Sequence, residues 1–261
     1  MLLAVDIGNT NIVFALCSEE ATVAEWRIRT DAHRTADEYA VWLFALMTAQ
    51  NFSKEVVADV IISSVVPDAI FELKHFARKY LNHDPLLITS GQVECGMKIC
   101  IDQPKELGAD RLLNAFAAWT EYQQALIVVD FGTATTFDVV SAAGEYLGGI
   151  IAPGINLSLE ALERAASRLH GITITHPAKV IGTNTTAAMQ SGIYHGYAGL
   201  IEGIVRRIRE ERGEDMKVIA TGGLAPLYAD ATKAIDVVDA DLTLRGLRLV
   251  YQRMKHSQKK S

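Results

Sequence analysis

The chain has 261 residues, of which 49% are hydrophobic and 21% charged, and a formal net charge of −6. That balance excludes a disordered chain, which buries too little apolar surface to offset its ordering entropy, and the length suits one large domain or two ordinary ones. An acidic chain has no global positive field to gather phosphates, so nucleic acid is not its expected partner. No apolar run approaches the ~20 residues of a membrane-spanning helix, so no membrane partner is expected either.

Residues 2–6 are apolar and end in an acid. No basic n-region precedes them, so they read as a strand rather than a signal peptide. Residues 11–16 follow a turn at Gly8 as a second strand, and 22–28 make a third. Residues 37–50 carry Tyr39, Leu43, Leu46 and Met47 at helical spacing. A β-branched run covers 56–63, a helix over 69–81 starts just after Pro67 and Asp68, and 86–89 is a short strand. A helix from Gly108 to about Tyr122 links the halves.

The second half repeats the opening. Residues 125–130 are an apolar strand ending in an acid, 135–140 follow a turn at Gly132, and 145–150 form a third strand. One helix begins after Pro153 and Gly154, and a long one covers 186–212. A strand at 217–220 leads into Thr221-Gly222-Gly223, a last helix spans 241–254, and 255–261 reads as a frayed, solvated basic tail. Cys17, Cys95 and Cys100 have neither disulfide-framework nor zinc-ligand spacing, so they read as free thiols of a reducing, cytoplasmic compartment.

Alternating strands and helices indicate an α/β architecture. The segment Asp6-Ile7-Gly8-Asn9-Thr10-Asn11-Ile12-Val13-Phe14 matches Asp130-Phe131-Gly132-Thr133-Ala134-Thr135-Thr136-Phe137-Asp138 in pattern: Asp-x-Gly, small polar residues, then a second β run. Two strand–turn–strand copies predict a duplicated domain, and no short period suggests a solenoid. In each, glycine lets the backbone turn tightly and approach a ligand, the amides and hydroxyls that follow can donate to phosphate oxygens, and the acid can hold hydrated magnesium or potassium beside them. An ordinary hairpin explains either copy alone; it explains the pair poorly. Gly222-Gly223 allows close approach of an adenine or ribose face, and equally a flexible strand-to-helix turn. No Gly-x-x-x-x-Gly-Lys-Ser/Thr loop, strand-linked Gly-x-Gly-x-x-Gly or Gly-x-Ser-x-Gly elbow is present. His170, His176 and His195 form no catalytic arrangement.

The order Asp-x-Gly, Asp-x-Gly, Gly-Gly resembles the sugar kinase, actin and heat-shock chaperone superfamily. More closely, the chain resembles the type III pantothenate kinase family. Asp6-Ile7-Gly8-Asn9-Thr10 looks like its first phosphate motif, Gly108-Ala109-Asp110-Arg111 like its substrate and catalytic motif, and residues 130–136 like its second phosphate motif. Gly148-Gly149-Ile150-Ile151-Ala152-Pro153-Gly154 and Thr221-Gly222-Gly223 also fit, so the match runs from residue 1 to about 247. The resemblance implies two duplicated ribonuclease H-like domains of the actin-like ATPase fold, here 1–115 and 116–261, with a nucleotide cleft between them. It implies transfer of the ATP γ-phosphate to the pantothenate hydroxyl, giving 4′-phosphopantothenate on the way to coenzyme A.

Carried over by position, the resemblance makes Asp110 the general base, Arg111 the substrate contact beside it, and Gly108 and Ala109 part of the same substrate motif. Asp6, Ile7, Gly8, Asn9, Thr10, Asn11, Ile12 and Val13 become the ATP phosphate loop. Thr133 touches ATP, with Mg2+ as companion; Asp130 binds K+ or NH4+; Thr185 touches pantothenate. Where the family has a substrate-contacting tyrosine this chain has Ile101, so that hydroxyl is absent. Phosphoryl transfer needs positioning and charge neutralisation more than covalent help. A helix N-terminus should stabilise the Asp110 carboxylate and weaken it as a base, leaving it to orient the hydroxyl. Gly192, Gly196, Gly199 and Gly203 form one stripe on the long helix. Each lowers helix stability by roughly 0.8–1 kcal/mol relative to alanine, so a close neighbour is expected: a homodimer partner, as in the family, or the chain's own sheet. Two rival functions are a superfamily kinase acting on a sugar or carboxylate, and a nucleotide-sensing regulator without turnover.

Overall fold

A computed structural model describes residues 1–89, 95–165 and 171–258, so His170 and the end of the basic tail lie outside the described residues. The chain divides into two compact units. The first comprises 1–97, 102–117 and 241–261; the second comprises 98–101 and 118–240.

In the first unit, β1 (Leu2–Ile7), β2 (Asn11–Cys17), β3 (Thr22–Arg29), β4 (Asp59–Ser64) and β5 (Leu86–Ile88) form one sheet in the order β3-β2-β1-β4-β5. The first three are antiparallel neighbours, and β4 and β5 add in parallel. Because side chains alternate along a strand, Leu3, Val5 and Ile7 face one way. There they bury against α1 (Ala36–Ala49) and α2 (Pro67–Leu81) through Tyr39, Leu43, Leu73 and Phe76. Leu2, Ala4 and Asp6 therefore face the other way. Thr35 caps α1 by accepting from the Glu38 amide, while Glu38 accepts from the Thr35 amide at 2.8 Å. This reciprocal cap starts the helix one residue before its expected position. Pro67 is itself the first residue of α2, where its missing N–H and fixed φ suit a helix start. β4 starts at Asp59 rather than 56, because Lys54–Val56 close a 3-10 turn first. The helix α3 (Ala109–Tyr122) belongs to the first unit up to Ala117 and to the second from Ala118.

The second unit repeats this topology. β6 (Lys98–Ile99), β7 (Leu126–Phe131), β8 (Ala134–Val140), β9 (Glu145–Pro153), β10 (Lys217–Thr221) and β11 (Val237–Val238) take the order β11-β10-β7-β8-β9-β6. Without the edge strand β6 this is the first sheet again, strand for strand and direction for direction. Its core joins Ile127, Val129 and Phe137 to α4 (Ile155–Ala165), α5 (Thr185–Arg212) and α6 (Ala225–Ala231). The two-residue strands β6 and β11 and the seven-residue α6 are too short to leave a periodic signal, and the sequence pattern did not separate them.

The two copies differ by one residue at the turn. Asp6 pairs with Val13, but Asp130 pairs with Thr136, one residue sooner. Three residues link β1 to β2 and two link β7 to β8, so Phe14 corresponds to Phe137 rather than to Asp138. Both phenylalanines are fully buried, and the core fixes the register.

The last helix, α7 (Leu242–Gln258), returns to the first unit and packs on β1 and β4. It runs four residues past its expected end. Lys255, expected to be solvated, pairs with Asp59 at 2.7 Å, and Tyr251 donates to the same carboxylate at 2.8 Å. Gly246 lets α7 approach α3 closely, because a Cβ there would lie 2.5 Å from the Leu113 carbonyl oxygen.

Candidate active site

The first-unit loop is built on the ends of β1 and β2. The Gly8 amide donates to the Asn11 carbonyl at 3.0 Å and closes the turn, and a Cβ on Gly8 would crowd that oxygen at 3.1 Å. Asn9, Thr10 and Asn11 are exposed, whereas Ile7 and Ile12 are buried and anchor the loop to the core. Thr30, which sequence reasoning did not single out, braces the loop from the end of β3. Its hydroxyl donates to the Gly8 carbonyl at 2.6 Å and its amide to the Thr10 carbonyl at 3.0 Å. No motif signal points to it, since only the strand pairing brings it there.

Asp6 stands on the α3 and α7 side of the sheet, opposite Ser63 in the register of β1 and β4. Burial, the charge of Asp110 and, against them, the Ser63 side chain bring the Asp6 carboxyl up to about 7. Asp110 lies in the first turn of α3. Its Oδ1 accepts from the Arg111 amide at 2.8 Å and occupies the place a side chain on Gly108 would need, 2.5 Å from where a Cβ would stand. Glycine at 108 is thus a condition for this carboxylate's orientation. Ala109 and Leu107 are buried on either side. The expectation that the helix N-terminus makes Asp110 a weak base is corrected here. Burial raises its carboxyl above the usual carboxylate range and outweighs the Arg111 charge and the backbone N–H bonds that lower it.

The second-unit loop, Gly132-Thr133, is exposed and closed by the Gly132 amide donating to Ala134 at 3.1 Å. Two glycines make room for it. A Cβ on Gly154 would collide with the Thr133 carbonyl oxygen and lie 2.9 Å from that of Gly132. Gly222, at φ 90°, has no room for one either: it would meet the Phe131 carbonyl oxygen at 2.7 Å and Asp130 Oδ1 at 2.8 Å. Asp130, at the end of β7, therefore has its carboxylate gathered with backbone carbonyls between two glycine-bearing turns. Gly222 is packed closely within its own unit, while Gly223 has no described neighbour within 4 Å of a Cβ.

Thr185 is the first residue of α5 and is exposed; Asn184 caps the helix by accepting from the Ala187 amide at 2.9 Å. Gly182 packs on that first turn, where a Cβ would meet the Ala187 carbonyl carbon at 2.5 Å. Ile101 lies two residues beyond β6 beside Gly148 of β9. Among the described residues no three His, Cys, Asp or Glu side chains cluster as a metal site, and no helix is long and apolar enough to cross a membrane. Cys17, Cys95 and Cys100 are free thiols, the first two buried. His176 and His195 both meet the Tyr194 ring edge-on.

Two sheets of one topology, each ending its first strand in an acid before a glycine turn, define the actin-like ATPase fold of the sugar kinases and their relatives. A putative 2-dehydro-3-deoxygalactonokinase from Sinorhizobium meliloti has this fold at TM-score 0.55 and 14% identity, over 97% of this chain and 99% of the other. A putative Baf family transcriptional activator from Campylobacter jejuni has it at TM-score 0.58 and 20% identity, with the same coverage. The sequence narrows the class. Residues 2–207 match the type III pantothenate kinase family, and a type III pantothenate kinase from Paramagnetospirillum magneticum is 56% identical over 253 residues, 97% of each chain. The chain belongs to the type III pantothenate kinase family.

Proposed function

We propose that the chain carries out the reaction for which its family is named: transfer of the ATP γ-phosphate to the hydroxyl of pantothenate, giving 4′-phosphopantothenate for coenzyme A synthesis. The observation that carries the residue assignment is the juxtaposition of Asp6 and Asp110, with the Asp6 carboxyl up at about 7. Two carboxylates gathered beside one exposed glycine turn suit a phosphate chain and its divalent cation.

Residues Asp6 to Val13 form the phosphate loop, and Thr133 adds a second-unit contact to ATP. Mg2+ suits the Asp6 region because it keeps most of its waters and needs one or two carboxylates beside the phosphates, where it neutralises charge. Asp130 with the Phe131 carbonyl offers oxygen donors for K+ or NH4+. Asp110 holds the acceptor hydroxyl and takes its proton. Its raised pKa makes it a better base than a solvated aspartate, and it need only accept the proton late in a loose transition state. Gly108, Ala109 and Arg111 place it, and Thr185 and Ile101 are assigned to the acceptor by their position in the family pattern. Ile101 offers an apolar contact without a hydroxyl.

The working unit is a homodimer. Among the described residues, nothing beyond their own helix lies within 4 Å of where a Cβ on Gly192, Gly196 or Gly199 would stand, which supports a second copy rather than the chain's own sheet as their neighbour. Three free thiols fit a cytoplasmic location. The test is ADP release from purified protein with magnesium and potassium, with and without pantothenate. Release that depends on pantothenate and yields the phosphorylated product supports the reading; nucleotide binding without such release rejects it.

A further inference from the structure

We infer that Tyr197 is a positioning residue for the second phosphate loop: its hydroxyl, bonded to the Pro153 carbonyl, holds the turn on which Gly132 and Thr133 rest. The inference rests on the proposed role of that loop in binding ATP. Tyr197 sits on the buried ridge of α5 with Ile193 and Ile201, its ring edge-on to Tyr228. Nothing in the proposed chemistry uses it, yet its O–H does not point to solvent. It lies 2.9 Å from the Pro153 carbonyl oxygen and 3.3 Å from that of Gly154, and it shares a short hydrogen bond with Ser158 Oγ. One phenol has one proton to donate. Donation to Pro153 leaves Ser158 as the donor to Tyr197, and the Ser158 amide donates in turn to the Gly154 carbonyl at 2.9 Å.

These bonds fasten both carbonyls of the Pro153–Gly154 turn to α4 and α5. That turn has no freedom on its other side, because Gly154 is packed directly on the Thr133 and Gly132 carbonyls. Whatever fixes Gly154 thus fixes the exposed two-residue loop. A loop that must present amides and a hydroxyl to a phosphate chain gains from this, since a displacement of ~1 Å at a reacting group costs about a hundredfold in rate. The phenol is buried with only 7% of its surface exposed, so water cannot replace the lost donor readily.

The test is Tyr197→Phe, which keeps the ring and removes the hydroxyl. ADP affinity is read by calorimetry, and the KM for ATP and for pantothenate are read by steady-state kinetics. We expect ADP binding to weaken and the KM for ATP to rise roughly tenfold, while the KM for pantothenate stays within about twofold. ADP affinity and ATP KM equal to those of the unmodified protein overturn the inference, as does an equal rise in both KM values. If Tyr197→Phe does not fold, Tyr197→Met, which also lacks the donor and fills the site with a flexible apolar side chain, decides on the same readouts. An unmodified protein that binds ADP without phosphorylating pantothenate would sink the function proposed above, but the ADP titration would still judge Tyr197.

Discussion

The negative charge of Asp110 helps hold a proton on Asp6. Burial raises both carboxyls, and beside the Asp110 charge the Asp6 carboxyl is brought up to about 7.

This arrangement makes stability depend on pH with a definite sign. Between about pH 4 and 7 the folded protein keeps a proton on Asp6 that the unfolded chain has lost, so stability falls as pH rises through that window. At ~1.4 kcal/mol for each pKa unit, the cost above pH 7 is of the order of a few kcal/mol. Asp6→Asn cannot ionise. Its Tm in unliganded protein should match the parent near pH 4 and exceed it at pH 8, and parallel Tm curves across that range would refute the assignment.

Asp110→Asn should cut turnover by roughly 10²–10⁴-fold without loss of fold. It should also let the Asp6 carboxyl ionise at lower pH, which carboxyl NMR can follow. Near-normal turnover removes Asp110 from the role of base, and an unmoved Asp6 titration removes the coupling.

Gly154→Ala places a methyl against the Thr133 carbonyl, a backbone atom that cannot swing aside. Overpacking of this kind costs about 1–3 kcal/mol, and the displaced loop should weaken ADP binding. Urea denaturation and an ADP titration check both; a variant that matches the parent in each would show that the loop has slack.

Gly196→Leu separates a dimer face at the glycine stripe from a solvated one. Gly196 is exposed with no described neighbour near a Cβ, so the folded monomer should persist while the dimer dissociates, as light scattering would report. Gly196→Ala in a truly solvated helix face should instead raise stability by roughly 0.8–1 kcal/mol and leave the assembly unchanged.

Replacing potassium by sodium, or Asp130 by alanine, should depress turnover. Equal rates in the two salts, with nucleotide saturating, would remove Asp130 from cation binding.

Much of this was legible because the strongest signals are local. The apolar runs before Asp6 and Asp130, the glycine turns after them and the long apolar ridge of α5 all follow from short-range pattern. What stayed hidden depends on partners far apart in sequence. Thr30 reaches the Gly8 turn only because β3 pairs beside β2, and Asp110 is buried only because its helix lies on the Asp6 side of the sheet. The helix N-terminus alone predicts a lowered pKa for Asp110; burial, which sequence does not display, reverses it. The one-residue difference between the two loops does not show in the shared Asp-x-Gly pattern; the buried Phe14 and Phe137 set the register.

The return of α7 to the first sheet has a consequence for synthesis. Residues 2–88 supply all five strands of that sheet, but α7, one of the two helices on the Asp6 side, emerges from the ribosome only after all of the second unit. The half of the protein made first is thus the half completed last. During translation the nascent first unit must wait with Leu2 and Ala4 uncovered while the second unit closes, the reverse of the usual N-terminal-first order. A stop codon that removes only α7 would leave the second unit's segments intact and that face of the first sheet with α3 alone.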